Sequence, residues 1–526
     1  MNRAQRNRPA PGHARLYSKS CCHTARMTRP YIVLTSILLP ILIVISPRAV
    51  GSPFPTSQWY FGPERILEPD LRAPASDTDN PGRPAIAFDG TNHLLVTFRM
   101  MNNSNTLLGA LLSRQGSVLR SFELTQATPH YQRPVPALAF GKSNYLVTFL
   151  SGGAIRGMRL SPEGSLMDGP GGFQISAEDS LASHNAPAVA WDGERFLVVW
   201  QKYGFASAKL QIRGAFVDGS GHVFPEFAIG RSNWQANASI AFGDDQYLVV
   251  WEDNRWAAPP TYDSDLVGAR VTRSGDVLDP DGFEICRAPE DQPSPHVTFG
   301  GTNFFVVWQD ERDGGYLEPR IYGTRVTRDG VVLDGPTAPG GQPICAAFPV
   351  HSPRAGYDGH RYFVTWMLNG YQNSQNTSPA GIYLARLDLN GVLLDGTSPA
   401  SAGIRVSAVE PACFACRLVY PEVSFDGSQY FLAYSMNREL GGGPLKDIRG
   451  RFVGRRGVLH PPAIGDDGCI ELVLESELGQ VFVLEATADF RSWKEIESQR
   501  ATNLVVRFRD CPPLDDRNRY YRVRQE

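Results

Sequence analysis

At 526 residues, with 42% hydrophobic and 10% aromatic side chains, the chain has a globular composition and is too long for one ordinary domain unless it is built from repeats. The formal net charge is −3, but the first 51 residues hold eight Lys or Arg and no Asp or Glu, leaving 43 basic against 54 acidic side chains beyond them, a net of −11. Such a surface repels phosphate backbones and argues against nucleic acid as a partner.

Residues 1–51 read as a signal peptide region. Residues 31–46, YIVLTSILLPILIVIS, form the one long apolar run. Basic residues precede it, and Ala49-Val50-Gly51 offers a small-residue cleavage site, the layout of a secretory leader. Met27, followed by Thr28-Arg29-Pro30, makes a more ordinary start than Met1. The expectation is a secreted or cell-envelope protein. The alternative is a membrane anchor through residues 31–46, although sixteen apolar residues with Pro40 among them fall short of the ~20 that a spanning helix needs.

Next comes a motif that occurs seven times, most cleanly at 187–200, PAVAWDGERFLVVW. The copies begin at Pro84, Pro136, Pro187, Ala238, Pro295, Pro353 and Pro421, spaced by 52, 51, 51, 57, 58 and 68 residues. A short apolar run leads to Asp192-Gly193, a tight-turn signal, and 196–200 has the β-branched and aromatic composition of a buried strand. A third strand follows, as at 266–279 (LVGARVTRSGDVLD) and 321–334 (IYGTRVTRDGVVLD), then a short fourth, as at 173–175 and 283–285. Four strands per unit, repeated at a regular period, predict an all-β fold: a seven-bladed β-propeller over residues 60–460. The seventh repeat lacks a fourth strand of its own. The segment near Ile66 resembles one without a blade, and is predicted to complete blade seven and remove an open sheet edge. Residues 468–526 break the pattern and read as a small separate β-module, with strand-like stretches at 471–474, 481–485, 504–508 and 520–523.

These blades resemble those of secreted bacterial β-propeller repeat proteins, which run P-A-x-A-x-D-G-x-x-Y-L-V-V-W and then I-x-G-x-R-V-x-x-x-G-x-x-L-D. The stretch 481–493, VFVLEATADFRSW, with the terminal YYRV at 520–523, is similar to small C-terminal β-sandwich modules of large secreted bacterial proteins. Both resemblances imply architecture and export, and neither implies a chemistry.

Beyond Cys21 and Cys22 six cysteines remain, and an even count in an exported chain suggests disulfides. Cys469 and Cys511 bracket the C-terminal module. Cys286 and Cys345 occupy equivalent places in consecutive repeats and are candidates for a bridge between neighbouring blades, if that spacing permits one. Cys413 and Cys416 could form a local disulfide or a redox pair, or stay as thiols; no second Cys pair or nearby His pair completes a zinc site.

Strand direction puts the entry connectors and the loops from strand two to strand three on one face, where a ligand would meet the mouth of the channel. Those loops carry Asp253, Arg255 and Trp256, then Asp310, Arg312 and Tyr316. Carboxylates beside aromatics suit a sugar or a calcium ion, the one cofactor considered. Because Asp253/Arg255 and Asp310/Arg312 recur at one repeat position, they read more simply as ion pairs bracing the loops. Arg133, His184 and His351 stand just before their anchor prolines. A lone loop His is ordinarily solvated or locally bonded, and no catalytic motif can be defended from spacing. The aromatic that ends each second strand (Trp200, Trp251, Trp308 and their equivalents) reads as packing between blades. The function that follows is a monomeric binding or scaffolding protein with a glycan or protein ligand. A carbohydrate-active hydrolase or lyase on the same face is the alternative, and a purely structural surface protein the third.

Overall fold

A computed structural model describes two short strands at Val33–Ser36 and Ile43–Val44, and residues 59–61, 64–67, 83–101, 104–114, 116–127, 135–177, 182–257, 263–335, 340–347, 349–368, 381–395, 403–407, 417–427, 429–440, 443–455, 458–459, 463–464, 469–475, 481–487, 492–502, 505–511 and 520–525. Among them the chain is all-β, with a single 3-10 turn at Gly315–Leu317, and no helix is long and apolar enough to cross a membrane. Arg133, Cys413, Cys416 and most of the apolar run 31–46 lie outside the described residues.

Among the described residues seven sheets repeat one antiparallel order, the last of them taking its outer strands from the N-terminal segment. In the third, Ala182–Trp191, Arg195–Gly204, Lys209–Asp218 and Phe227–Ala228 follow one another. The Asp-Gly turns form as their chemistry dictates. Asp192 Oδ1 accepts the backbone N–H groups of Glu194 (2.8 Å) and Arg195 (2.6 Å), and Gly193 takes φ 96°, which a side chain would resist. Asp89 and Asp358 do the same in the first and sixth sheets. The Asp that closes the second half of the motif ties its turn back to the third strand. Asp279 accepts the backbone N–H of Arg270 (2.9 Å) and chelates its guanidinium (2.8 and 2.9 Å), and Arg159/Asp168, Arg325/Asp334 and Arg386/Asp395 repeat the bond.

Successive side chains of a strand point to opposite faces, so every second strand packs both ways. In the fourth sheet Tyr247, Val249 and Trp251 pack on Leu197 and Val199 of the third, whereas Leu248 and Val250 pack on Phe304, Val306 and Trp308 of the fifth. The aromatics that end the second strands are therefore core: Trp200, Trp251, Trp308 and Trp366 are fully buried. The first sheet meets the seventh in the same manner, Leu95, Ala110 and Leu112 packing with Phe431, Ile448 and Phe452. Arg65–Ile66 pairs with Gly443–Arg455 of the seventh sheet, Ile66 opposite Arg449. Leu67 N–H then bonds Ile448 O (3.0 Å), the bond that Ile229 makes to Ile212 in the third sheet. Glu64 accepts from Tyr434 Oη and Arg449. These sheets, packed face to face around an axis, make a β-propeller.

After the seventh sheet, Ile470–Glu475 pairs with Val505–Asp510, and Val481–Thr487 pairs with Lys494–Arg500 and Tyr520–Gln525. The two sheets share a core of Leu472, Leu474, Phe482, Leu484, Phe508 and Tyr521, and a Cys469–Cys511 disulfide closes a separation of 42 residues. The strand at Lys494–Arg500, KEIESQR, has no apolar alternation to announce it. It lies at the edge of its sheet, where charge is tolerated and discourages further pairing. Cys286 and Cys345 form no bridge. Each is a buried free thiol in a different core, Cys286 between the fourth and fifth sheets and Cys345 between the fifth and sixth. Equivalent points of adjacent sheets face different interfaces.

Candidate functional site

The first strands of the seven sheets surround one cavity of about 340 Å³. Each enters it through the residue after the repeat anchor, and all but the sixth also through the residue before it. In four sheets the entry carries a register shift: Asn185/Ala188, Ala236/Ser239, His351/Arg354 and Val419/Glu422. The residue just before the anchor takes positive φ in each (Ala186 48°, Asn237 51°, Ser352 53°, Tyr420 56°), as does Ser294 (60°) in the fifth sheet. A bulge of this kind bends the strand and re-aims the side chains beside it, here toward the axis.

The residue after the anchor is Ala85, Ala137 and Ala188 in the first three sheets, then Ser239, His296, Arg354 and Glu422. One side of the cavity wall is thus small and apolar, and the other carries ionisable groups. Arg354 Nε donates to Glu422 Oε1 across 2.6 Å. His296 Nδ1 accepts the Ala355 N–H at 3.2 Å, which leaves the ring proton on Nε2. Burial, and then the Arg354 charge, pushes the His296 pKa down to about 3, so the ring is neutral. Arg83 lies over the Tyr420 ring at 4.5 Å and lines the same wall. Burial and the like charge of Arg354 lower its pKa, opposed by Tyr420 and Glu422.

A second set of side chains ties the entries together behind this wall. After Trp200, Trp251 and Trp308 the next side chain reaches the entry of the following sheet: Gln201 accepts the Asn237 N–H (3.1 Å) and Gln309 pairs with His351 Nδ1 (3.1 Å). At the equivalent place Glu252 Oε1 accepts from Asn237 Nδ2 (2.8 Å) and the Ser294 N–H (2.7 Å). Burial pushes its carboxyl up to about 7, against the pull of those two bonds.

Most residues singled out in the sequence sit elsewhere. Asp253 and Asp310 are fully buried clamps. Asp310 accepts from Trp308 Nε1 (2.6 Å) and binds Arg312 through Nε (2.7 Å) and an Nη (2.6 Å). Asp253 does the same for Trp251 (2.9 Å) and Arg255 (2.9 and 2.6 Å), and also accepts from Ser232 (2.6 Å). Their oxygens are spent on these bonds, and no three His, Cys, Asp or Glu side chains among the described residues are grouped to hold a metal. Trp256 is flanked by Arg255 and Arg287, each 5.3 Å from its ring. Tyr316 is 74% exposed on the 3-10 turn. His184 is buried with Nδ1 on Gly153 O (2.8 Å), and His351 is pinned by Gln309 and shifted down by burial; neither lines the cavity. The residues that do line it were missed, although the signal was present: the second position of the anchor reads Ala, Ala, Ala, Ser, His, Arg, Glu across the copies.

No family model matches the chain, and no curated protein does. Solved structures resemble it in fold. An alpha-L-arabinanase of Penicillium chrysogenum, solved with arabinobiose, aligns over 61% of this chain and 98% of its own at 12% identity, TM-score 0.41. A polysaccharide lyase, Uly1, aligns over 81% and 97% at 10% identity, TM-score 0.45. The β-propeller domain of the Trilobed protease from Pyrococcus furiosus, described as having an open velcro topology, aligns over 70% and 96% at 11% identity, TM-score 0.39. At these levels the likeness concerns the fold, and no activity passes from them to this chain.

Proposed function

We propose that the protein is an exported, monomeric, seven-bladed β-propeller with a small C-terminal β-sandwich-like module, and that it binds a glycan or another small ligand in the cavity on its axis. One observation carries this reading. Every repeat contributes to one cavity, and at the position that faces it the later copies replace Ala with Ser, His, Arg and Glu. Scaffold positions recur; this one does not. The volume falls in the range of small-ligand sites, roughly 300–1,000 Å³. Wall residues held by bulges on rigid strands suit pre-organised binding better than surface loops do.

A second reading is favoured by the convergence of Arg83, His296, Arg354, Tyr420 and Glu422: a carbohydrate-active enzyme at the same place. Hydrolysis by paired carboxylates fits poorly, because Glu422 is the one carboxylate among the described lining residues and is bound to Arg354. Elimination, which can use a neutral His or Tyr, fits better.

Glycan-array binding with the purified protein, run beside a polysaccharide-degradation assay, tests both. A plugging variant, Ala137→Phe, is expected to abolish array binding while leaving the thermal midpoint near that of the parent. Binding that survives the plug would move the ligand to the outer loops. No binding and no degradation would sink both readings.

A further inference from the structure

The cavity carries a charge imbalance. Its described lining holds two guanidiniums, Arg83 and Arg354, against one carboxylate, Glu422, which Arg354 already engages at 2.6 Å. No carboxylate among the described residues pairs directly with Arg83, whose guanidinium rests on the face of Tyr420. His296 adds no charge, and presents an Nε2 proton once its Nδ1 is occupied by Ala355. Glu422 is thus shared between two guanidiniums, a buried excess of positive charge is costly, and a ligand that supplies one negative charge offsets the cost.

We propose that the cavity binds a carboxylate-bearing sugar, its carboxylate seated on Arg83 and its ring against the wall formed by Ala85, Ala137 and Ala188. The proposal deepens the cavity reading above and rests on it. The guanidinium fork matches a planar carboxylate two bonds at a time. A single negative charge balances the single excess cation, whereas a phosphate monoester, carrying ~1.5–2 charges near neutrality, would overfill it. A sugar has hydroxyls at its edge for the His296, Ser239 and Asn237 side and an apolar face for the alanine side. Glu252 lies behind Asn237 and Ser294, its charge repelled by Asp291 and attracted by Arg83; burial holds its carboxyl up at about 7, and once ionised it competes electrostatically with the ligand. Affinity for the acid therefore falls as pH rises through about 7, and affinity for a neutral sugar does not.

Calorimetric titration of the full protein with glucuronate and galacturonate, set against glucose, galactose, acetate, lactate, sulfate and inorganic phosphate, decides the matter. The uronates are expected to bind at least about tenfold tighter than every other probe, the size of one charge-assisted hydrogen bond. Arg83→Gln should erase that preference. Glu422→Gln should strengthen uronate binding, because it frees Arg354; the second variant moves the affinity in the opposite direction and serves if the first does not fold. Uronates and neutral sugars binding alike, with the Ala137→Phe plug abolishing both, would overturn the carboxylate assignment and leave the cavity as a ligand site. Acetate or lactate equal to the uronates would overturn the sugar, and sulfate or phosphate binding tighter would overturn the carboxylate. Silence from every probe together with a blank glycan array would remove the cavity reading itself.

Discussion

Arg354 and Glu422 occupy the same position in two successive copies of the inner strand, and the copies meet through a 2.6 Å bond from Nε to Oε1. In the first three copies that position is Ala85, Ala137 and Ala188. The pair is thus an ion pair built where the repeat has no structural need of one. Both side chains are largely enclosed, 12% and 20% exposed, so each is the other's nearest counter-charge.

Removing both partners should therefore cost less than the two single removals added together. Arg354→Ala or Glu422→Ala alone is expected to destabilise by roughly 2–3 kcal/mol, since an enclosed charge is left without its partner. The double alanine variant, which restores the composition of the early copies, should cost less than the sum of the two. Urea unfolding of the four proteins in a double-mutant cycle measures the difference, and simple additivity would show that the pair is not coupled.

The Trp-Asp-Arg clamps make the opposite forecast, for stability without binding. Burial opposes the Asp253 charge, but bonds from Arg255, Ser232 and Trp251 outweigh it and hold the carboxyl below its ordinary range. Asp253→Ala or Asp310→Ala should cost about 3 kcal/mol and leave ligand affinity within twofold of the parent. In the third and sixth sheets Trp200 and Trp366 have Lys202 and Leu368 where the Asp would be, and their indole N–H groups find no acceptor among the described residues. Trp251→Phe should accordingly cost ~1 kcal/mol more than Trp200→Phe in the same unfolding assay.

What the sequence disclosed and what it hid have one physical origin. Four-stranded units were legible because Asp-Gly turns and runs such as 196–200 are local, and repetition averages out their noise. The Cys469–Cys511 bridge was legible because it brackets one small core. Asp253 and Arg255 drew notice for their chemistry, yet the partner that explains them, Trp251 Nε1, is a packing residue whose polar edge no pattern displays. The cavity stayed hidden because its wall comes from residues some fifty apart. Position 296 means little beside 295 and 297; it acquires meaning only beside 354 and 422, once the sheets are set around an axis.

The seventh sheet gives a test of closure. Leu67 is 1% exposed among Leu95, Leu112, Phe431 and Phe452, at the junction of the first and seventh sheets. Leu67→Ala should cost about 3 kcal/mol, the usual loss for an emptied core leucine. A surface-like loss under 1 kcal/mol in thermal unfolding would mean that the N-terminal segment does not hold the ends of the array together.

Reduction should act on the C-terminal sheets alone. A link across 42 residues restricts the unfolded chain by an amount equivalent to about 4 kcal/mol. With Cys469→Ser and Cys511→Ser replaced together, calorimetry should show a lowered transition for that module and an unmoved one for the seven sheets. Parallel shifts of both transitions would mean that the two parts unfold as one.

Glu252 occupies the place that Gln201 and Gln309 hold in neighbouring sheets, and it does a glutamine's work, accepting from Asn237 and Ser294 while only 4% exposed. Its carboxyl is raised from 4.5 to about 7, burial being the main cause. Between those values the folded chain keeps a proton that the unfolded chain has released. Stability therefore falls as pH rises through that window, by an amount on the order of 3 kcal/mol, and is level above it. Glu252→Gln removes the titration and keeps the acceptor. The variant should match the parent below pH ~5 and exceed it above pH ~7. Glu252→Ala removes the acceptor as well, and should be weaker than the Gln variant at every pH. Urea midpoints collected across that range give both comparisons, and a Gln variant whose profile kept the parent's slope would move the titration to another group, with Asp265, also raised to about 7, the next to replace.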